Sequence, residues 1–464
     1  VHIARESMNS YLDFIKRKEQ TDPATGITHS PKLNPMLHEH QADMVRWALR
    51  RGRAAIFADC GLGKGPMQME WAKHQPHEAL IVAPLAVAHQ FVREAEKFGI
   101  DLAYAKDQSH VTKRITVTNY ERLENFHVEQ FGAVALDESS ILKNSSGAYS
   151  TWMIDAFKNT PFRLCSSATP APNDVMELGT QAEFLGVMTR GEMLAMYFTH
   201  DGGDTSKWRV KGHAQAAFWS WMASWAVMIR KPSDLGYSDE GFILPPLRMH
   251  EQCVSVNSPT YGFLFAVEAQ TLQERQQARR DSIADRVKAC ADIVNASNDP
   301  FLVWCNLNDE SDALAAAIPG AVEVRGSDTD EHKEKAIAGF LDGSIRVLVS
   351  KPRIMGLGLN FQHCADMAYV GLSDSYEQLY QSIRRCWRFG QTRPVNVHVI
   401  TAETEGAVVS NIKRKEREAE ETYNNMIEHM KDLNAAALHG QTVRNKSEYV
   451  PKHTVQIPSW LEAA

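Results

Sequence analysis

The sequence lacks the features that would indicate secretion, a membrane anchor or a disulfide framework. Its 464 residues include seven cysteines that are scattered, odd in number and never spaced as Cys-x-x-Cys, so neither a disulfide framework nor a zinc site is expected. The N-terminus has no apolar run of the signal-peptide kind. The most apolar long stretch, 218–229, is too short to cross a bilayer. A soluble cytoplasmic protein with no membrane partner is therefore predicted.

An excess of positive charge is also missing. The chain has 50 Lys and Arg against 57 Asp and Glu, which gives a formal net charge of -7. A protein covered in phosphate-binding surface would usually be basic, so any nucleic-acid site must be a local stripe on an acidic body. The contents of 44% hydrophobic and 23% charged residues are ordinary for a globular protein and exclude a disordered or fibrous chain.

The apolar patterning divides the chain into several units. Short apolar runs alternate with amphipathic segments in two regions, which is typical of parallel sheets flanked by helices. The predicted fold class is therefore α/β, with two parallel-sheet lobes, a helical insertion between them and a C-terminal helix. The predicted units are an N-terminal extension (1–35), a first lobe (36–185), a helical insertion (186–260), a second lobe (261–402) and a C-terminal helix with a tail (403–464).

Strand candidates are the short apolar runs of each lobe. They are 54–58, 79–83, 115–118, 133–136 and 163–166 in the first lobe, and 301–305, 321–324, 346–349, 367–369 and 395–399 in the second. In the insertion, the tryptophans at 219, 221 and 225 are predicted to lie in the core. Trp208 stands among basic residues, and a core position and a nucleic-acid contact both remain open for it.

A phosphate-binding loop is predicted directly after the strand 54–58. The loop is Cys60-Gly61-Leu62-Gly63-Lys64-Gly65, and a helix begins near Pro66. Glycines let backbone N–H groups approach phosphates, the helix N-terminus adds its dipole, and Lys64 can reach the outer phosphates. A glycine-rich turn before a helix can also be only a turn. The usual Mg²⁺-binding Ser or Thr after the lysine is replaced by Gly65, so ATP binding should survive better than hydrolysis.

Two adjacent acids end the apolar strand 133–136. Successive strand side chains point to opposite faces, so Asp137 and Glu138 can divide two roles between them. Asp137 is the candidate metal ligand, acting through water, and Glu138 is the candidate group that orients and deprotonates the attacking water. The alternative is a solvated loop start. A second strand end, Ser167-Ala168-Thr169, offers small hydroxyl groups that would sense hydrolysis.

Two arginines in the segment 381–391 carry the clearest signal in the second lobe. Arg385 and Arg388 are three residues apart, so a helix would place them on one face. Two guanidinium groups on one face can reach a γ-phosphate across a cleft, and an arginine finger of this kind contributes about 10³–10⁵ in rate. The alternative is a plain basic surface helix.

In number, order and spacing, these motifs resemble helicase superfamily two, and within it the Swi/Snf-type translocases. The resemblance covers roughly residues 36–400 and implies two RecA-like lobes, ATP and Mg²⁺ as cofactors, and double-stranded DNA as partner, with RNA less favoured. The absence of room for large accessory domains suggests a compact bacterial or phage version. The sequence departs from the family pattern at Gly65, at Ser139-Ser140 in place of Ala-His, and at 351–355.

The resemblance also implies roles for individual residues. The nucleotide-binding positions would be Gln41, Gly61, Leu62, Gly63, Lys64, Gly65, Gly358 and Asn360. The DNA-contacting positions would be Pro84, Asn119, Tyr120, Lys143, Asn144 and Gly356. The positions that couple hydrolysis to movement would be Ser167, Ala168, Thr169 and Gln381.

Three alternatives to a duplex-DNA translocase follow from the same residues. Gly65 is compatible with an ATP-gated DNA clamp that hydrolyses weakly or not at all. A strand-separating DNA or RNA helicase is the second. Two features argue against it, namely Leu142-Lys143-Asn144, which resembles the tail that follows the acid box in the remodeller branch, and the Gly-Leu-Asn motif at 358–360. A structural protein that has kept only the fold is the third, and the retained acids and arginines argue against that one.

Overall fold

The apolar runs of the sequence form the strands of two parallel sheets. The computed structural model describes residues 24–144, 147–201, 204–255, 277, 279–356 and 359–439. The strands are β1 (Arg53–Ala58), β2 (Ala79–Ala83), β3 (Leu102–Tyr104), β4 (Ile115–Asn119), β5 (Ala133–Asp137), β6 (Phe162–Ser166), β7 (Phe198–Asp201), β8 (Asp204–Val210), β9 (Ala226–Ile229), β10 (Leu247–Val254), β11 (Phe301–Trp304), β12 (Val322–Val324), β13 (Val347–Ser350), β14 (Asp366–Val370) and β15 (Val395–Ala402).

Helices follow most of the strands, as the alternating pattern requires. They are α1 (Glu39–Arg51), α2 (Lys64–Lys73), α3 (Leu85–Phe98), α4 (Ala148–Ala156), α5 (Leu178–Leu185), α6 (Arg190–Tyr197), α7 (Gln215–Trp225), α8 (Ile283–Asn295), α9 (Asn308–Ala317), α10 (Asp330–Asp342), α11 (Pro352–Met355), α12 (Tyr376–Ile383) and α13 (Gly406–Leu438). Short 3₁₀ helices add Gln108–His110, Tyr120–Asn125, Val128–Gln130, Ser139–Lys143, Val175–Glu177, Gly212–Ala214, Pro232–Leu235 and Glu403–Glu405.

The first lobe is built on a sheet with the strand order β3-β4-β2-β5-β6-β1-β9, in which every pair is parallel. Its central strands are buried, apart from Arg53 at the start of β1, because helices cover both faces. Strands β5, β6 and β1 are neighbours, so the residues that follow their carboxyl ends meet at one edge of the sheet. Ligands bind at this edge in open α/β folds.

The second lobe has the strand order β10-β15-β14-β11-β13-β12, again with parallel pairs throughout. The predicted α/β class with two parallel-sheet lobes is therefore confirmed. Each strand candidate of the sequence overlaps an observed strand, with ends that agree to within one residue except at the end of the last strand, which continues three residues further, to Ala402.

The segment 186–260, predicted as a separate helical insertion, is divided between the two sheets. Strand β9 pairs with β1 at the edge of the first sheet, and β10 pairs with β15 at the edge of the second. Between them, β7 and β8 form an antiparallel hairpin. The apolar stretch 218–229 is part helix and part strand because its Ala-Val-Met-Ile end completes the sheet. The half-buried Trp208 packs on the first lobe's core, with its ring 3.8 Å from that of His200.

The predicted C-terminal helix is α13, and it packs against both lobes. Met426 and Met430 are buried in the first lobe's core, and Asn434 bonds the backbone of β9. Near its start, Val408 is buried in the second lobe's core. The predicted tail beyond residue 439 and the first part of the predicted extension lie outside the described residues.

Candidate functional site

The glycine loop between β1 and α2 has the backbone of a phosphate cradle. Gly61 and Gly63 have φ angles of +89° and +81°, in the left-handed region that favours glycine. Gly63 caps helix α2, whose first turn starts at Lys64. The Nζ of Lys64 donates to the carbonyl of Ala58, 3.0 Å away, so the ammonium is folded back over the strand end. A phosphate at the loop offers it a charged acceptor instead.

Gln41 fixes the loop from the side of helix α1. Its Nε2 donates to the carbonyl of Leu62 at 3.0 Å, and its Oε1 accepts from the backbone N–H of His38. A Cβ on Gly63 would stand 2.3 Å from this Nε2, so only glycine allows the contact. Gln41 therefore holds the loop in shape and lines the cavity in front of it.

Asp137 and Glu138 stand at the end of β5 and point into the same cavity. Gln68, one turn after Lys64 on α2, donates to Asp137 Oδ1 at 2.6 Å. Glu138 has φ +56°, and it is the one non-glycine residue with positive φ in the described part of the chain. Such backbone strain of about 1–3 kcal/mol persists where surrounding structure imposes it, often at functional sites. Ser167 Oγ lies 3.4 Å from Glu138 Oε2 as a donor.

Burial is the main influence on the Asp137 carboxyl. Desolvation and, to a smaller extent, the neighbouring Glu138 charge raise the pKa of Asp137 to about 7, against the opposing effects of Lys64, Gln68 and Arg385. A proton on Asp137 thus relieves repulsion between two buried acids. A bound cation would relieve it in the same way.

Arg385 and Arg388 reach this cavity from the second lobe. Helix α12 ends at Ile383, so the two arginines lie in the turns beyond it and not on the predicted helical face. Beyond the helix end, the Arg385 carbonyl accepts from the N–H of Phe361. Their guanidinium groups nevertheless converge, since both Nη1 atoms donate to the Leu359 carbonyl, at 3.2 and 3.0 Å.

Burial and the adjacent Arg385 charge lower the pKa of Arg388 to about 10, while the charge of Glu94 partly opposes this. Two like charges held together away from water favour an anion between them. Residues of the loop, both acids, both arginines and Asn360 line a single cavity of about 260 Å³. Gly358, the other nucleotide candidate in this region, lies outside the described residues.

Two residues that the sequence reading had given no role join the lobes beside this cavity. Arg384 forms a buried ion pair with Asp59, the residue that precedes the glycine loop. Tyr380 OH also donates to Asp59, at 2.6 Å. Arg384 further lies over the ring of Trp387, 4.9 Å from its centroid. Arg384 could have been singled out by its place within the arginine motif. No spacing rule, however, identifies its partner Asp59, which is 325 residues away in the chain.

The predicted coupling residues meet across the lobes. Gln381 Nε2 donates to Thr169 Oγ1 at 3.0 Å, and Thr169 N–H donates to Ser167 Oγ. Ser167 and Ala168 are fully buried behind them. Glu377 of α12 receives a weak bond from Thr169 and pairs with Lys143. A short chain of contacts therefore runs from the second lobe to Glu138.

The predicted DNA-contacting residues do not share one surface. Asn119 and Tyr120 are buried, and they bond Tyr104, Glu121 and the Asp137 carbonyl, so their contact with DNA stays a prediction. Pro84 lines an interlobe cleft of about 260 Å³. Lys143 forms an ion pair with Glu377 of the second lobe, and Asn144 follows it in the chain. Gly356 ends α11, its N–H bonded to the Pro352 carbonyl.

The residues present fit Mg²⁺ in a nucleotide complex. In the described part of the chain, no group of three or more His, Cys, Asp or Glu side chains is suited to hold a metal alone. Mg²⁺ needs only one or two carboxylates when substrate phosphates and water complete its shell. Asp137, oriented by Gln68, supplies such a carboxylate. Among the described helices, none is long and apolar enough to cross a membrane.

Comparisons with known proteins agree with the motifs. The family model "Helicase conserved C-terminal domain" matches residues 285–390. The Mus musculus protein "DNA annealing helicase and endonuclease ZRANB3" is 22% identical over 424 residues, which are 80% of this chain and 39% of the relative. The chain thus spans about two fifths of the length of that relative. The solved "Sulfolobus solfataricus SWI2/SNF2 ATPase core in complex with dsDNA" has a TM-score of 0.40 and 16% identity, covering 81% of this chain and 90% of its own.

Proposed function

We propose, from the premise that this chain is a Swi/Snf-type helicase of superfamily two, that it is an ATPase activated by double-stranded DNA and moves along that DNA. One observation carries the proposal. Lys64, Asp137 and Glu138 of the first lobe and Arg385 and Arg388 of the second line the same cavity between the lobes. Charged groups are costly to bring together around a cavity, so the convergence of these five indicates that the cavity binds a charged ligand.

ATP would enter this cavity with its phosphates on the glycine loop. The N–H groups of the loop and Lys64 would hold the outer phosphates, while Asp137 would hold Mg²⁺ through water. When bound, Mg²⁺ supplies positive charge to the phosphate oxygens. Burial keeps these interactions strong because little water competes for them.

Glu138 is suited to orient the attacking water. Its αL backbone turns the carboxylate into the cavity, and Ser167 lies beside one of its oxygens. The carboxylate would accept the proton as the water attacks the γ-phosphorus. Arg385 and Arg388 would stabilise the charge on the transferring phosphoryl group, with the two lobes closed as they are here.

Hydrolysis would be transmitted through the contacts between Thr169, Gln381 and Glu377. Loss of the γ-phosphate removes the anion between the arginines, so the lobes separate and shift along the DNA backbone. DNA contacts should be made mainly to phosphates, be independent of sequence and weaken with salt. The Leu142-Lys143-Asn144 tail supports duplex translocation over strand separation.

The test is ATP turnover with and without duplex DNA, beside triplex displacement and fork unwinding. Duplex-stimulated turnover with triplex displacement and no unwinding is the expected result. Fork unwinding without triplex displacement would favour a strand-separating helicase. No stimulation by duplex DNA would contradict the proposal.

A second candidate is an ATP-gated DNA clamp, favoured by the missing hydroxyl at Gly65. Such a clamp would bind duplex DNA more tightly with ATP and release no phosphate. Gly65→Thr would then create turnover in an otherwise inactive protein. A wild-type protein that hydrolyses ATP rapidly with duplex DNA and displaces a triplex excludes this candidate.

A further inference from the structure

The space beside Gly65 is already occupied by a carboxylate. Gly65 lies in the first turn of α2 with ordinary helical backbone, so its conformation does not require glycine. A Cβ built on Gly65 would stand 3.1 Å from Glu94 Oε2 and 3.7 Å from the ring of Phe91. The side chain of a Ser or Thr here would therefore compete with the Glu94 carboxylate for the same position.

Glu94 is held in that position from within its own helix. It is half-buried on α3, and its Oε1 accepts from Gln90 Nε2 at 2.6 Å, one turn earlier. This bond orients the carboxylate and leaves Oε2 directed towards Gly65. Among the described residues, no ion pair involves Glu94. Its charge faces the cavity that also contains Lys64 and Asp137.

We propose that Glu94 takes the place of the missing hydroxyl, so that its Oε2 binds the Mg²⁺ of the bound nucleotide complex, directly or through a water molecule. The proposal rests on the proposed nucleotide site. Mg²⁺ prefers hard oxygen ligands and is often bound by one or two carboxylates together with substrate phosphates. Asp137 and Glu94 would be these two carboxylates, contributed by different elements of the first lobe.

This assignment explains why glycine follows the lysine. With a Thr at position 65, the carboxylate would have to move by a few tenths of an ångström or turn away. With glycine, the carboxylate has the space to itself. Lys64, Arg385 and Arg388 offset the added negative charge next to the phosphates.

The test measures metal binding rather than turnover. The full-length chain is saturated with a non-hydrolysable ATP analogue, and the affinity for Mn²⁺ is measured by electron paramagnetic resonance. Glu94→Gln keeps the size of the side chain and an oxygen that can accept from Gln90. Glu96→Gln on the exposed side of the same helix is the matched control.

We expect Glu94→Gln to weaken Mn²⁺ binding about 10-fold or more, while Glu96→Gln leaves it unchanged. Binding of the metal-free analogue should not weaken in Glu94→Gln, because a negative charge near the phosphates has been removed. Adding Gly65→Thr to Glu94→Gln should restore most of the lost Mn²⁺ affinity, since the space is then free for the hydroxyl.

Equal Mn²⁺ affinity in Glu94→Gln and wild type would overturn the proposal, as would a double variant that regains nothing. These results can be separated from failure of the proposed function. If the wild type binds the analogue, and binds Mn²⁺ through Glu94, but shows no duplex-stimulated turnover, only the proposed ATPase function is contradicted. A wild type that binds no analogue would contradict both.

Discussion

Two of the contacts between the lobes differ in burial. The nucleotide-side contact joins Asp59 and Thr169 of the first lobe to Tyr380, Gln381 and Arg384 of the second. The far-side contact joins His89 and Arg122 to Glu334 and Asp330. In the first, the side chains of Arg384 and Asp59 are 5% and 7% exposed, whereas those of His89 and Glu334 are 28% and 52% exposed.

The difference in burial indicates that the two contacts differ in how easily they break. A buried pair that loses one partner leaves an unpaired charge, so the nucleotide-side contact is costly to break. An exposed pair exchanges with water at little cost, so the far-side contact can open and close. The far-side contact borders the cleft that Pro84 lines. We infer that nucleotide binding controls whether the lobes close, while the exposed contact can open and close as the lobes move.

The arginines of the nucleotide side should produce the largest effect. Arg385→Ala or Arg388→Ala should lower ATP turnover by about 10³–10⁵-fold, because the transition-state charge loses its counter-charge. Turnover is measured by phosphate release and binding by a fluorescent ATP analogue. Arg393→Gln, an exposed change in the same segment, is the control. Near-normal turnover in either alanine variant would mean that this arginine takes no part in hydrolysis.

Breaking the buried pair should come next. Arg384→Met leaves Asp59 charged and buried, and should lower the free energy of unfolding by about 3–5 kcal/mol. Combining it with Asp59→Asn should recover much of the loss, since no charge is then left unpaired. Urea denaturation measures both. A single variant as stable as wild type would mean that the lobes stand apart in solution.

Burial on the nucleotide side also predicts a pH effect. An unfolded Asp ionises near pH 4, while the raised pKa of Asp137 keeps its proton to about pH 7 in the folded state. Between these values the folded state binds more protons, so stability falls as pH rises. Asp137→Asn removes this pH dependence. As the pH rises, the free energy of unfolding of the variant should therefore gain on that of wild type by at most about 1.4 kcal/mol per pH unit.

The pH effect is measured by urea denaturation at several pH values from 4 to 8. Asp292→Asn, an exposed change on α8, should follow the wild-type slope. If Asp137→Asn and wild type showed parallel curves, the carboxyl would be better solvated than its burial indicates.

The far-side contact should produce the smallest effect. Glu334→Gln removes the partner of His89, and should change the free energy of unfolding by less than about 1 kcal/mol. Added salt should reduce even this difference, because exposed charges are screened. A loss as large as that of Arg384→Met would show that the two contacts are energetically alike.

The sheets could be predicted because their strands are buried on both faces and therefore read as short continuous apolar runs. Strands β9 and β10 were missed for opposite reasons. The end of the stretch 218–229 reads as a continuation of a helix, and β10 is an edge strand with mostly exposed side chains. Pairing with β1 and β15 decides both, and pairing partners are not visible in a local window.

Within the site, local chemistry identified the loop, the acids and the two arginines, since each depends on residue types at short spacing. The end of α12 at Ile383, the buried side chains of Asn119 and Tyr120, and the pair of Arg384 with Asp59 depend on neighbours far along the chain. The Glu94 carboxylate beside Gly65 belongs to this second group.

By itself, the sequence determined the two α/β lobes, the glycine loop after β1 and the kinds of charge that surround it, because apolar periodicity and glycine spacing act locally. Only the tertiary structure decided that front and back halves of the chain share one cavity, and which carboxylate stands where a hydroxyl is missing. Those arrangements follow from how helices pack on sheets, where residues hundreds of positions apart become neighbours and burial sets the strength of their charges.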